Sequence, residues 1–102
     1  MTLYKVLSPE GKAQNGGSLQ WSLPILNENG NWLPGEWMRV EGEIVACRNG
    51  LHLTSEVGNW LKWDSVIYAA EGRGKSSRKD DKIAFEEARV LYPVPDPDYW
   101  RR

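Results

Sequence analysis

SVIYAAEG (65–72), RGKSSRKDD (73–81) and KIAFEEARVLYPV (82–94) form one continuous run, and the reading of its last third decides the fold. The first piece, with Val66, Ile67 and Tyr68 together, reads as a strand. The middle piece, basic residues set among glycine and serine, reads as a solvated loop. The last piece fits two periods. As a helix it stacks Ala84, Ala88 and Leu91 on one side. As a strand it puts Ile83 and Phe85 on one face and resumes with Ala88, Val90 and Tyr92, the slip at Glu86-Glu87 being of the kind a β-bulge produces. A strand and an intervening loop just upstream favour the hairpin.

Upstream, TLYKVLS (2–8) reads as a first strand ended by the turn-rich PEGKAQNGG (9–17), and SLQWSLP (18–24) as a second, short strand that Pro24 ends or confines to an edge. ILNENGNW (25–32) is a loop or loose hairpin about Asn29-Gly30. LPGEWMRVEGEIVACR (33–48) holds two alternating apolar runs, with Trp37, Met38 and Val40 before Gly42 and Ile44 and Val45 after it. Asn49-Gly50 predicts a two-residue type I′ hairpin, because both central residues of that turn need positive φ. Thr54 or Ser55 can cap a short helix, with Glu56 in its first turn and Val57, Trp60 and Leu61 at helical spacing. The expected fold is therefore α+β: a small, twisted, mainly antiparallel sheet with one short helix at about residues 55–63. One globular domain spans 1–92, and PVPDPDYWRR (93–102) is a Pro-rich C-terminal tail.

The composition narrows the function classes. Thirteen Lys and Arg against 14 acidic residues leave a formal net charge of −1, which argues against a general nucleic-acid or membrane-surface binder. No stretch approaches the roughly 18 apolar residues of a membrane span, and the N-terminus is too polar for a signal peptide. A single cysteine, unable to form an internal disulfide, points to a reducing cytoplasm. Six Trp against one Phe suit either a small core or an interface.

The only cysteine and the only histidine lie five positions apart in ACRNGLHLT (46–54). If Asn49-Gly50 is a two-residue loop, Arg48 pairs with Leu51 and Cys47 sits opposite His52, with Cβ atoms about 4.5–5.5 Å apart. A nucleophilic thiol would use His52 as base and a third group to orient it, but no cysteine-hydrolase signature surrounds the pair. The bland alternative is a small buried thiol beside a histidine that hydrogen-bonds a neighbour. A structural metal site wants four ligands, and Asp64 or Glu71 would have to complete this one pair, so no metal is expected. Arg73, Lys75, Arg78 and Lys79 could receive a phosphate or an acidic partner, although the spacing is not that of a P-loop. Otherwise they form a wet, charged loop. Trp60 and Trp63 would share a helix face, and Trp63 and Trp100 are candidates for an exposed aromatic patch.

KVLSPEGKAQNGGSLQWSLP, PGEWM, ACRNGLHLT, WL, VIYAAEGRG and DDKIAFEEARVL, in this order, resemble the pattern of a family of small uncharacterised proteins of bacteria and their phages. Gly16-Gly17, Trp21-x-Leu23-Pro24, Cys47-x-x-Gly50-Leu51-His52 and Ala88-Arg89-Val90-Leu91 carry the likeness across nearly the whole chain. It implies no settled activity, and it supports an extended reading of 82–92. A looser likeness concerns GLHLTSEVGNWLKWDSVIYAAEG (50–72), which is similar to the strand–helix–strand middle of ADP-ribosyltransferase-like domains. That likeness implies an NAD cleft lined by Tyr4 or Lys5, His52, Thr54, and Glu71, Glu86 or Glu87, although the first strand lacks the usual His or Arg.

Two functions are thus expected. The first is a non-enzymatic, cytoplasmic protein without cofactor that binds a host protein through Trp63, Trp100, Arg73, Lys75, Arg78 and Lys79, on the pattern of an anti-CRISPR inhibitor of host defence. The alternative is an active or degenerate ADP-ribosyltransferase-like domain binding NAD near His52, with Thr54, Tyr4 and Glu71. Nucleic-acid binding through 73–79 is a third possibility, with affinity falling steeply with salt.

Overall fold

The computed structural model describes residues 3–13, 19–57 and 64–94. Among them every regular element is a strand: β1 Leu3–Leu7, β2 Ile25–Leu26, β3 Trp32–Leu33, β4 Met38–Arg39, β5 Leu51–Thr54, β6 Val66–Lys79 and β7 Lys82–Pro93. Every ladder between them is antiparallel. The α+β expectation is overturned. Of the segment expected as a helix, Ser55 and Glu56 are not helical, Val57 takes a lone 3₁₀ position, and 58–63 lie outside the described residues. Thr54 does present its hydroxyl to a backbone N–H, that of Glu56 at 2.9 Å, but this bond closes a turn. A hydroxyl two residues upstream serves a turn as well as a helix cap, so the capping signal alone did not demand a helix.

Four strands close on themselves. β6 and β7 form a long hairpin whose register runs from Tyr68–Pro93 to Lys79–Lys82. The other edge of β7 takes β5, with Leu51 opposite Phe85 and Thr54 opposite Lys82. β5 meets β1 at Tyr4–Thr54, and β1 returns to β6 with Leu3–Leu7 against Val66–Ala70. The pairings β6–β7–β5–β1–β6 therefore make a small barrel, and β4 adds to β7 at Met38–Ala88 and Arg39–Glu87. Leu7, Trp21, Leu51, Leu53, Tyr68, Ala70, Ala88 and Val90 fill its main core. Val6, Val57 and Ile67 form a second cluster, joined by Tyr4 and Val94, so β1 is covered on both faces.

The hairpin departs from expectation at both ends. Residues 73–79 are strand, not loop; their side chains, mostly wet, carry no alternation for a sequence to display. The slip at Glu86-Glu87 is present, but the extra residue sits on the partner strand. Arg73 pairs with Glu87 and Ser76 with Phe85, leaving Gly74 and Lys75 opposite Glu86 alone. Phe85 accordingly packs on the core beside buried Ala88 and Val90, while Glu86 and Glu87 both reach Arg39 on the outside. A second irregularity between Ala69 and Ala70 skips Leu91, and Tyr92 is 47% exposed instead of sharing the face of Val90.

Among the described residues of SLQWSLP, 19–24, the expected strand is also absent. Gln20 makes one bridge to Lys12, after which Trp21 leaves the ladder to fill the barrel at 2% exposure. Its ring N–H has no acceptor among the described residues. Lys5 lies opposite Tyr68, with its ammonium 5.0 Å from the Trp21 ring centroid and donating to the His52 carbonyl at 3.0 Å. That bond spans β1 and β5 just past their single paired position. Burial lowers the Lys5 pKa to about 8.

Candidate functional site

Cys47 and His52 are neighbours, but not by the expected register. The turn spans Val45 to Asn49, which exchange backbone hydrogen bonds at 2.9 Å, and its left-handed position is Cys47 with φ 70°. Asn49 stays outside the positive-φ set because its side chain has other work: its amide donates to the Glu41 and Glu43 carbonyls at 2.8 and 2.9 Å. The type I′ turn at Asn49-Gly50, and with it the facing Cys47–His52 pair, is thus replaced by a turn centred on the cysteine.

That turn rests on a cross-strand row. Ser77, Ala84 and His52 stand directly opposite one another on β6, β7 and β5. Ser77 Oγ accepts the Ala46 N–H at 3.0 Å, and His52 Nε2 accepts the Cys47 N–H at 2.7 Å. Between them Ala84 leaves room for the backbone of Gly50, where an added Cβ would lie 2.7 Å from the alanine methyl. The other imidazole nitrogen, Nδ1, is 3.1 Å from the Gly50 carbonyl, which fixes the neutral tautomer with the proton on Nδ1. Burial, then the Lys5 charge, pushes the His52 pKa below its usual value. The Cys47 thiol is exposed, not core-packed, and receives Lys82 Nζ at 3.4 Å.

The remaining residues of the NAD reading are committed to the protein as well. The Thr54 hydroxyl accepts from Glu56 and donates to Asp81 at 3.3 Å. Tyr4 stands opposite Thr54 and joins the second apolar cluster. Glu71 accepts from Arg89 at 2.6 Å, and Asp64 is exposed. Among the described residues no group of three or more His, Cys, Asp or Glu is placed to hold a metal ion.

Of the expected partner-binding residues, Trp63 and Trp100 lie outside the described residues, and Lys75, Arg78 and Lys79 are exposed on β6. Arg73 is engaged. Its guanidinium grips Glu87 through two bonds of 3.3 and 3.2 Å and stacks 3.8 Å from the Trp37 ring centroid. Arg89 reaches the same ring at 4.7 Å. Two rows cross the sheet here, Arg73–Glu87–Arg39 and Glu71–Arg89, and Trp37, just before β4, lies against Arg73 and Arg89. Opposite charges alternate in both directions, so this patch is self-neutralised.

The loop or loose hairpin expected at 25–32 is the β2–β3 hairpin; the feature missed in the sequence is its apolar exposure. Ile25, Leu26, Trp32 and Leu33 are 67, 52, 41 and 51% exposed, so both of its strands present apolar side chains to solvent. Asn27 builds the turn between them, its carboxamide oxygen accepting the N–H groups of Asn29 and Asn31 at 3.0 and 2.9 Å. The base is fixed to the barrel. Gly35 N–H donates to the Val90 carbonyl at 2.9 Å, and its Cα lies so close to Ser22 that an added Cβ would fall 2.0 Å from the Ser22 carbonyl oxygen. Glu36 N–H donates to Ser22 Oγ at 2.9 Å. The available signal was the bracketing of ILNENGNWL by Pro24 and Pro34, which isolates a short hairpin from neighbouring ladders.

Among the described residues no helix is long and apolar enough to cross a membrane. No family model matches the chain, and no curated protein or solved structure does either.

Proposed function

We propose that the chain is a protein-binding module, not an enzyme, and that it engages its partner through the β2–β3 hairpin. One observation carries this reading: the four strand residues of the hairpin are about half exposed or more, while its base is locked to the barrel. A clustered apolar surface held by a rigid support costs hydration and gives the core little, and such surfaces mark interaction sites. Trp32 and the aliphatic side chains beside it are the residue types that anchor interfaces. By contrast, the polar atoms of His52 and Thr54 are spent inside the protein.

A host protein is the partner we favour, in a reducing cytoplasm where a single exposed cysteine stays a thiol. Inhibition of a host defence complex, as by anti-CRISPR proteins, is the narrower form of this proposal and rests on the sequence resemblance alone. The test is capture from bacterial lysate on immobilised protein, comparing the native chain with a Leu26→Ser/Trp32→Ser variant. The native chain should retain a stoichiometric protein that the variant loses, at an affinity cost of about tenfold or more, with both melting alike. Retention of the same protein by both would remove the hairpin from the interface.

A further inference from the structure

We propose that the outer edge of β6, from Lys75 to Lys79, docks an extended acidic peptide segment, which would join the five-stranded sheet as a sixth strand. β6 is much longer than the strand beside it. One edge is covered by β7 from Tyr68 to Lys79, whereas β1 covers the other only from Val66 to Ala70. Beyond Ala70 no strand lies on that edge among the described residues. The Lys75 N–H is taken by Glu86 Oε1 at 3.2 Å. From Ser76 on, alternate residues direct both N–H and C=O to the same side, so this edge offers donors and acceptors in turn. Lys75, Ser76, Arg78 and Lys79 are all exposed along it.

The charge on this edge selects the occupant. Arg73 is neutralised by Glu87, but among the described residues no ion pair involves Lys75, Arg78 or Lys79. Lys79 also stands directly opposite Lys82, a like-charge pairing that disfavours the isolated sheet. Lysines on an edge repel a second copy of the same edge; the same charges attract a strand bearing carboxylates. A peptide fits better than a nucleic acid. The outward carbonyls need N–H donors, which a phosphodiester chain lacks, and no aromatic ring between Lys75 and Lys79 is present for a base to stack on.

The site is separate from the β2–β3 hairpin, and its test is independent of that reading. The probe is a fluorescein-labelled peptide of about ten residues alternating glutamate with valine, followed by anisotropy with the full chain. Binding should weaken about tenfold or more in Lys75→Glu/Arg78→Glu/Lys79→Glu, and comparably when every second peptide amide is N-methylated on its pairing side. Hydrogen exchange of outward amides between 75 and 79 should slow in the complex, and Leu26→Ser/Trp32→Ser should leave the affinity unchanged. Equal binding of the N-methylated peptide would reduce the contact to bulk electrostatics and overturn the proposal. Tighter binding of a single-stranded oligonucleotide of equal charge, or no binding at about millimolar peptide, would overturn it too.

Discussion

Cys47 donates its backbone N–H to His52 Nε2 at 2.7 Å, and this bond makes the imidazole the anchor of a turn instead of the base for a thiol. A base that activates Cys47 would point Nε2 at Sγ; here that lone pair is already occupied. Since Nδ1 gives its proton to the Gly50 carbonyl, the ring acts as donor on one side and acceptor on the other. The bond that Nε2 accepts from Cys47 requires the neutral form, whereas the bond to the Gly50 carbonyl survives protonation.

Acid should therefore loosen the 45–50 turn. Burial and Lys5 hold the His52 pKa below its ordinary value. As pH falls below about 6.5, the unfolded chain takes up a proton on this imidazole before the native state does, so stability declines from there downward. Urea unfolding between about pH 7.5 and 5 should show this slope, and His52→Ala should flatten it. Parallel slopes for the two proteins would exclude the imidazole as the source.

The conformation at Cys47 gives a second expectation. Its φ of 70° is unfavourable for a side chain with a Cβ, and the thiol is outside the core. Cys47→Gly should stabilise the protein by about 0.5–1 kcal/mol, and Cys47→Val should destabilise it, both read from denaturant midpoints.

Lys5 responds to base in the opposite range. With its pKa lowered to about 8, the native state sheds this proton first as pH rises, so the penalty of a buried ammonium is relieved between about pH 8 and 10. Stability should rise across that window. Lys5→Met should abolish the rise and raise stability at pH 7 by about 1–2 kcal/mol, net of the lost bond to the His52 carbonyl.

These same residues show what the sequence could and could not reveal. The strand at Leu3–Leu7 and the hairpin ending at Pro93 were legible, since Val66–Tyr68 and the slip at Glu86-Glu87 are strand signals. The helix alternative for 82–92 arose because Ala84, Ala88 and Leu91 fall at helical spacing, while the slip at Glu86-Glu87 interrupts the two-residue period. Ala88 is buried in the barrel and Ala84 beneath the 45–50 turn, and only the β5 and β6 partners on either side decide the matter. Asn49-Gly50 misled for a tertiary reason: the Asn49 side chain is claimed by the Glu41 and Glu43 carbonyls, which moves the turn to Cys47. The proximity of Cys47 and His52 was legible, but the chemistry of their contact was not, because a backbone donor leaves no mark in composition. The exposure of Ile25, Leu26, Trp32 and Leu33 was invisible for a simpler reason. Apolar residues in a short hairpin are expected to find a core, and these do not.

The most direct test is the environment of Trp32. In protein labelled with 5-fluorotryptophan, with the Trp32 fluorine resonance assigned by Trp32→Phe, that resonance should show a solvent isotope shift in the free chain. It should move and lose that shift when the lysate-captured partner binds. A Trp32 resonance already shielded from solvent, or one unchanged in the complex, would contradict binding through the β2–β3 hairpin.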